Sequence, residues 1–215
     1  MLAQKLYHIA KPFLSEETDT RLRQARHGVL AMMGYDDDQW VRVVRRTEWR
    51  GFLAAEAKNR PDILEISPGL ESPWKQYATG SYTKIDYPDF DITRDRLDRQ
   101  FDVIIAEEVF EHLADADTAA ANVHAMLKAD GVFLVSVPFL VKLHGPPHYG
   151  DFHRWSPEGL RTFLSHHGFS QVDAKSWGNL DAIVANLKGW TRFGWGRNLE
   201  NDPDLPVAVW AYARP

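Results

Sequence analysis

The sequence predicts an α/β fold built on a mostly parallel sheet with helices on both faces, and three observations carry that prediction. From Pro61 onward, short apolar runs alternate with stretches of helical periodicity, the pattern of strand-helix-strand units. The runs are bounded by Pro, Gly, Asp and Ser, the residues that punctuate strands. Finally, 44% hydrophobic and 26% charged residues over 215 positions suit one sizeable core with an appendage.

Residues 1–60 come first and lack strand-like runs. "TDTRLRQARHGVLAMMG" and "DQWVRVVRRTEWRGFLAAEAKN" place apolar residues at three-to-four spacing, as amphipathic helices do. They read as a helical N-terminal extension serving as a lid or a dimer surface, with Asp36, Asp37 and Asp38 suited to cap the second helix. The domain proper is then 61–215. Strands are predicted at 62–67 (DILEIS), 81–87 (SYTKIDY), 101–107 (FDVIIAE) and 131–139 (GVFLVSVPF), with closing strands at 170–177 and 205–213. Helices are predicted at 71–78, at 110–130 and at 156–168, the last with Ser156 as cap, Pro157 at the first helical position and Gly168 as the stop.

Composition narrows the functions available. There is no cysteine, so thiolate metal sites and disulfides are excluded. No apolar run reaches the roughly 18 residues of a membrane span, and the N-terminus lacks a signal peptide's continuous apolar segment, so a cytoplasmic protein is expected. A net charge of −5 argues against extended binding to nucleic acid.

In open parallel sheets, ligands bind past the carboxyl ends of the strands. The first strand ends in "LEISPGLE", with Glu65 on its last turn and a Ser67-Pro68-Gly69 loop behind it. Asp86, past the second strand, lies 21 positions after Glu65 (86 less 65), near the spacing of a ribose-binding acid. Past the third strand comes "EEVFEHL". If a helix begins near Glu108, then Glu108, Glu111 and His112 fall at i, i+3 and i+4 on one face, whereas Glu107 does not. Two carboxylates and an imidazole on one face are a set suited to a divalent cation. The same carboxylates also suit a helix N-terminus with no metal at all.

These pieces, in this order, resemble the class I S-adenosylmethionine-dependent methyltransferases over about residues 60–213. The resemblance implies a Rossmann-like sheet whose last strand is antiparallel, with S-adenosylmethionine as cofactor. Of the family's E-x-G-x-G-x-G loop the chain keeps Glu65 and Gly69, with Ser67 and Glu71 at the outer positions. On this pattern Glu65, Ser67, Gly69, Asp86, Asp91 and Glu107 would bind the cofactor. The E-x-x-E-H of Glu108, Glu111 and His112 resembles that of small-RNA 2′-O-methyltransferases and ubiquinone-pathway O-methyltransferases. In the former, a further histidine after the next strand completes a metal site. Here "LVKLHGPPHYGDFHRW" offers His144, His148, Asp151 and His153, and His148 lies at about the matching distance. The expected metal set is Glu108, Glu111, His112 and His148, and the expected general bases are His148, Asp151 and His153.

The segment from Trp177 to Trp195 adds three tryptophans and several cations, which either stack an acceptor ring or fold back as core. The leading expectation is an O-methyltransferase acting on a hydroxylated small molecule or a glycan, with polysaccharide and nucleotide-sugar as the glycan forms considered and a metal as an optional aid. The alternatives are a non-catalytic binding or assembly module, favoured by the missing outer glycines, and an RNA 2′-O-methyltransferase. A nicotinamide-dependent dehydrogenase is weaker, because G-x-G-x-x-G is absent after the first strand.

Overall fold

The computed structural model describes residues 39–69, 72–145, 150–194 and 196–215. The helix expected at 18–34 and the Asp36–Asp38 cap lie outside them. Six strands form one sheet: β1 (Asp62–Ile66), β2 (Ser81–Ile85), β3 (Phe101–Glu107), β4 (Leu127–Pro138), β5 (Gln171–Trp177) and β6 (Ala208–Arg214). Their order is β2-β1-β3-β4-β6-β5. The β1–β2, β1–β3 and β3–β4 pairs are parallel, and β6 runs antiparallel to both β4 and β5.

Side chains alternate across a strand, so each buried strand feeds two cores. Leu64, Ile66, Ile104, Ala106, Phe133 and Val135 face α2 (Ala116–Ala125) and α3 (Pro157–His166). Ile63, Val103, Ile105, Val132 and Leu134 face the opposite layer, which holds α1 (Val43–Glu56) and α4 (Leu180–Lys188). The second layer is rich in indole: Trp49, Trp74, Trp177 and Trp210 are all at most 1% exposed. Burying 150–250 Å² each at about 25 cal/mol per Å² gives roughly 4–6 kcal/mol per indole before entropy is subtracted. The described part of the N-terminal extension is therefore packed on the sheet, with Val41, Arg45, Trp49 and Leu53 forming its buried stripe at four-residue spacing. Trp177 belongs to this core, whereas Trp190 is 41% exposed.

Several predicted boundaries change. The run at 71–78 forms only a 3-10 turn, Lys75–Tyr77. The helix expected over 110–130 divides: a 3-10 turn at Phe110–His112, then α2 capped by Asp115, whose side chain accepts from the Thr118 amide. The strand takes over at Leu127, which pairs with Phe101. In α3, Ser156 caps the amide of Gly159, Pro157 opens the helix, and Gly168 at φ +94° follows its end. The aromatic segment contains α4, capped by Asn179. Among the described residues, no helix is long and apolar enough to cross a membrane.

Candidate functional site

Glu65, Glu107 and Ser136 all point from their strands toward the α1 layer, next to Arg45 and Trp74. Glu65 is buried, and its carboxylate accepts from the hydroxyls of Ser72 and Tyr82 (2.7 Å from the latter). Burial raises its pKa, against the pull of those two donors. Ser67 takes the left-handed conformation at φ +49°, and its amide donates to the Ile85 carbonyl (2.8 Å). That is a glycine-like backbone at one of the positions where the family pattern carries glycine. Among the described residues, nothing stands within 4 Å of where a Cβ on Gly69 would project. Asp86 is exposed past β2. The Asp91 carboxylate caps its own turn, taking the Thr93 amide and hydroxyl and the Arg94 guanidinium, and these bonds lower its pKa.

At the end of β3 the expected geometry is corrected. Glu108 does not open a helix: it sits at φ +58°, and the chain enters a 3-10 turn two residues later. The helical face expected to join Glu108 to Glu111 and His112 therefore never forms. Instead Arg45, wholly buried, extends its guanidinium to both acids, one nitrogen to Glu107 and the other to Glu108. Glu107 also receives Arg46 (2.8 Å) and the Trp74 indole N–H (3.1 Å), and Glu108 receives the Ser136 hydroxyl (3.0 Å). Burial works against ionisation of Glu107, but Arg45, Arg46 and Arg42 outweigh it and hold its pKa at about 2.

Three residues past Glu108 the arrangement is the opposite. Glu111 is wholly buried, and among the described residues neither of its oxygens has a hydrogen-bond partner. Two imidazoles face it, with His112 Nε2 at 3.5 Å and His144 Nε2 at 3.8 Å from Oε1. One ligand atom from each of the three residues lies within 4.8 Å of the others. His112 Nδ1 is 2.6 Å from the Gly150 carbonyl, which suits an N–H donor there and leaves Nε2 a lone pair toward Glu111. Gly150 has no room for a side chain, since a Cβ would meet the Phe152 ring at 2.3 Å. The Phe152 amide donates to the Glu111 carbonyl (2.7 Å) and ties this loop to the turn. Desolvation raises the pKa of Glu111, and the contact with Glu111 raises that of His144.

The three residues expected as bases fare differently. His148 lies outside the described residues. Asp151 is held by the Arg154 guanidinium on both oxygens, and despite burial its pKa is held at about 2, so it is a weak proton acceptor at neutral pH. His153 points elsewhere, with Nε2 on the Leu113 carbonyl (2.9 Å) and its ring stacked on Trp155. Three residues carry weight that the expected set omitted. His144 is the histidine the fold delivers; Arg45 had a signal, a cation on the apolar stripe of a helix; Arg154 had none beyond its nearness to Asp151.

Residues 63–133, from β1 into β4, match the family profile described as a methyltransferase domain. By that match, the segment from β1 into β4 resembles a methyltransferase domain. In fold, this methyltransferase is similar to the 1,6-didemethyltoxoflavin-N1-methyltransferase of Burkholderia thailandensis, solved with its substrate and S-adenosylhomocysteine. The TM-score is 0.50 at 15% identity, over 76% of this chain and 75% of that one. A methyltransferase from Archaeoglobus fulgidus aligns at TM-score 0.48 and 12% identity, over 81% of this chain and 94% of that one. No curated protein matches the chain by sequence.

Proposed function

We propose that this methyltransferase methylates a hydroxyl of a small molecule or a glycan, and that a divalent cation held by Glu111, His112 and His144 grips the acceptor. The observation that carries the proposal is the Glu111 carboxylate, wholly buried and without a hydrogen bond among the described residues, facing two imidazole nitrogens. Leaving a carboxylate in that state costs several kcal/mol unless it is neutralised or bound to an ion. One oxygen and two nitrogen donors suit a borderline divalent cation and leave positions open for an acceptor.

S-adenosylmethionine, when bound, supplies a methyl group on a sulfonium sulfur, and a divalent cation, when bound, lowers the pKa of a hydroxyl beside it. The chain supplies the positions. Ser67 and Gly69 let backbone approach the cofactor, while Asp86 is free of the core and available to its sugar. Around the histidines the rim is aromatic. Trp190 meets the His144 ring edge-on at 5.3 Å, and Phe152 is 55% exposed. Such faces hold a sugar or aromatic ring, and the net charge of −5 supports a small acceptor over RNA.

A second reading has support from one observation: the Asp151 carboxylate lies 3.3 Å behind His144 Nδ1, the arrangement of a carboxylate-oriented general base. In that reading the acceptor's proton goes to His144 Nε2 without a cation. Chelator separates the two. Transfer of labelled methyl to a hydroxyl acceptor should fall in chelator, return with Mn²⁺ and be lost in Glu111→Ala; transfer indifferent to both treatments would sink the cation reading. Calorimetry with S-adenosylhomocysteine checks the cofactor half, where absence of binding heat would point to a binding module.

A further inference from the structure

The loop that carries His144 returns to the site at Asp151, and its two ends are fastened together. The His144 amide donates to Asp151 Oδ2 (2.9 Å), and the same oxygen stands 3.3 Å from His144 Nδ1. That second contact is close enough for charge attraction without being aligned as a hydrogen bond. Both Asp151 oxygens also accept from Arg154, Oδ2 at 2.6 Å, and the guanidinium makes one further bond, to the His153 carbonyl (2.7 Å). The Asp151 side chain is only 6% exposed. One carboxylate thus touches the backbone and the ring of His144, and is itself oriented by a bidentate fork.

We propose that Asp151 and Arg154 are positioning residues: together they fix the His144 ring with its proton on Nδ1 and its Nε2 lone pair presented to the space beside Glu111. This rests on the cation reading above. The geometry supports it in three ways. Asp151 stands 3.3 Å from Nδ1, nearer than Glu111 stands to Nε2 at 3.8 Å, so a proton on Nδ1 is favoured over one on Nε2. Arg154 grips both oxygens of Asp151, which keeps that carboxylate from turning to a cation itself. His112 is oriented by a different device, the Gly150 carbonyl on its Nδ1, so the two imidazoles have separate supports and can be tested separately. Partners of this kind behind a ligating histidine typically change metal affinity by about 10- to 100-fold when removed.

The test uses the whole protein and two readouts, only one of which involves metal. The first is the His144 tautomer, read from imidazole ¹⁵N shifts of the metal-free protein at about pH 9, above the ordinary imidazole range. Wild type should show Nδ1–H; Asp151→Ala should shift toward Nε2–H; Asp151→Asn, which keeps the side-chain volume, should keep the fold and lie between. The second is Mn²⁺ titration by calorimetry. Affinity should fall about 10- to 100-fold in Asp151→Ala, fall less in Arg154→Met, and recover in part in Arg154→Lys, which restores a cation without the fork. An unchanged His144 tautomer in both Asp151 variants overturns the positioning role, and so does Mn²⁺ affinity within twofold of wild type in both. If wild type takes up no Mn²⁺ but the tautomer responds as expected, the positioning role stands and the cation reading fails.

Discussion

Two groups of buried charge lie within five residues of each other past the end of β3, and they are built in opposite ways. In the knot of Arg45, Arg46, Glu107, Glu108, Ser136 and Trp74 both carboxylates are satisfied: each meets a guanidinium and at least one further donor. The cluster of Glu111, His112 and His144 has a carboxylate with no hydrogen bond among the described residues and two imidazole nitrogens aimed at it. A completed network fixes a structure, here docking the first described helix onto the sheet. An incomplete one is costly to keep and calls for a ligand. The difference shows which of three neighbouring acids hold the fold and which is available for chemistry, a distinction their residue types alone could not make.

Breaking the knot should have the largest effect. Arg45→Met leaves Glu108 without its guanidinium and Glu107 with Arg46 alone, and loss of one partner of a buried pair costs about 3–5 kcal/mol. Denaturant unfolding should register that loss. If stability changes by less than about 1 kcal/mol, the size of an exposed pair, the buried knot does not dock α1.

The cluster should respond with the other sign. Because the buried Glu111 carboxylate has no hydrogen bond among the described residues, Glu111→Leu should leave the metal-free protein as stable as wild type or more so, by up to about 3 kcal/mol. The same substitution should abolish stabilisation by Mn²⁺, which in wild type at about 100 times its Kd amounts to roughly 2.7 kcal/mol. Thermal melts with and without Mn²⁺ read both effects. Destabilisation by Glu111→Leu in metal-free protein would mean the carboxylate has a structural partner after all.

Acid should act on the knot with a defined sign. Glu107 has a folded pKa of about 2 against an ordinary value of 4.5, so its contribution is complete above pH 4.5 and is lost as pH falls through about 2. Stability measured down that range should decline in wild type and decline less in Glu107→Gln, which starts lower. Parallel curves for the two proteins would remove Glu107 as the cause. The smallest effect expected is that of Ser136→Ala, which deletes one hydroxyl from Glu108 and should cost about 1 kcal/mol at equilibrium unfolding.

The sheet was legible because its strands are apolar runs that bury both faces: the run 101–107 begins and ends where β3 does. Helix α3 was legible from Ser156, Pro157 and Gly168, whose roles are local. The site was less so. Reading Glu108, Glu111 and His112 as one helical face required a helix, and Glu108 adopts φ +58° instead, where Arg45 from 63 positions earlier and the Ser136 hydroxyl take its carboxylate. No local pattern encodes that contact. Among the loop histidines, spacing favoured His148, which lies outside the described residues, and the described histidine that faces Glu111 is His144. Asp151 was picked out for the right neighbourhood and the wrong chemistry, since its partner Arg154 holds it as a carboxylate at neutral pH.

The central claim is that the incomplete cluster, and not the knot, is where this methyltransferase holds a divalent cation. Crystals grown with Mn²⁺ and S-adenosylhomocysteine and measured at the manganese absorption edge test it most directly. The account predicts an anomalous peak among Glu111, His112 and His144, with Glu108 still on Arg45. A peak on Glu107 or Glu108, or S-adenosylhomocysteine bound with no peak in the cluster, would contradict it.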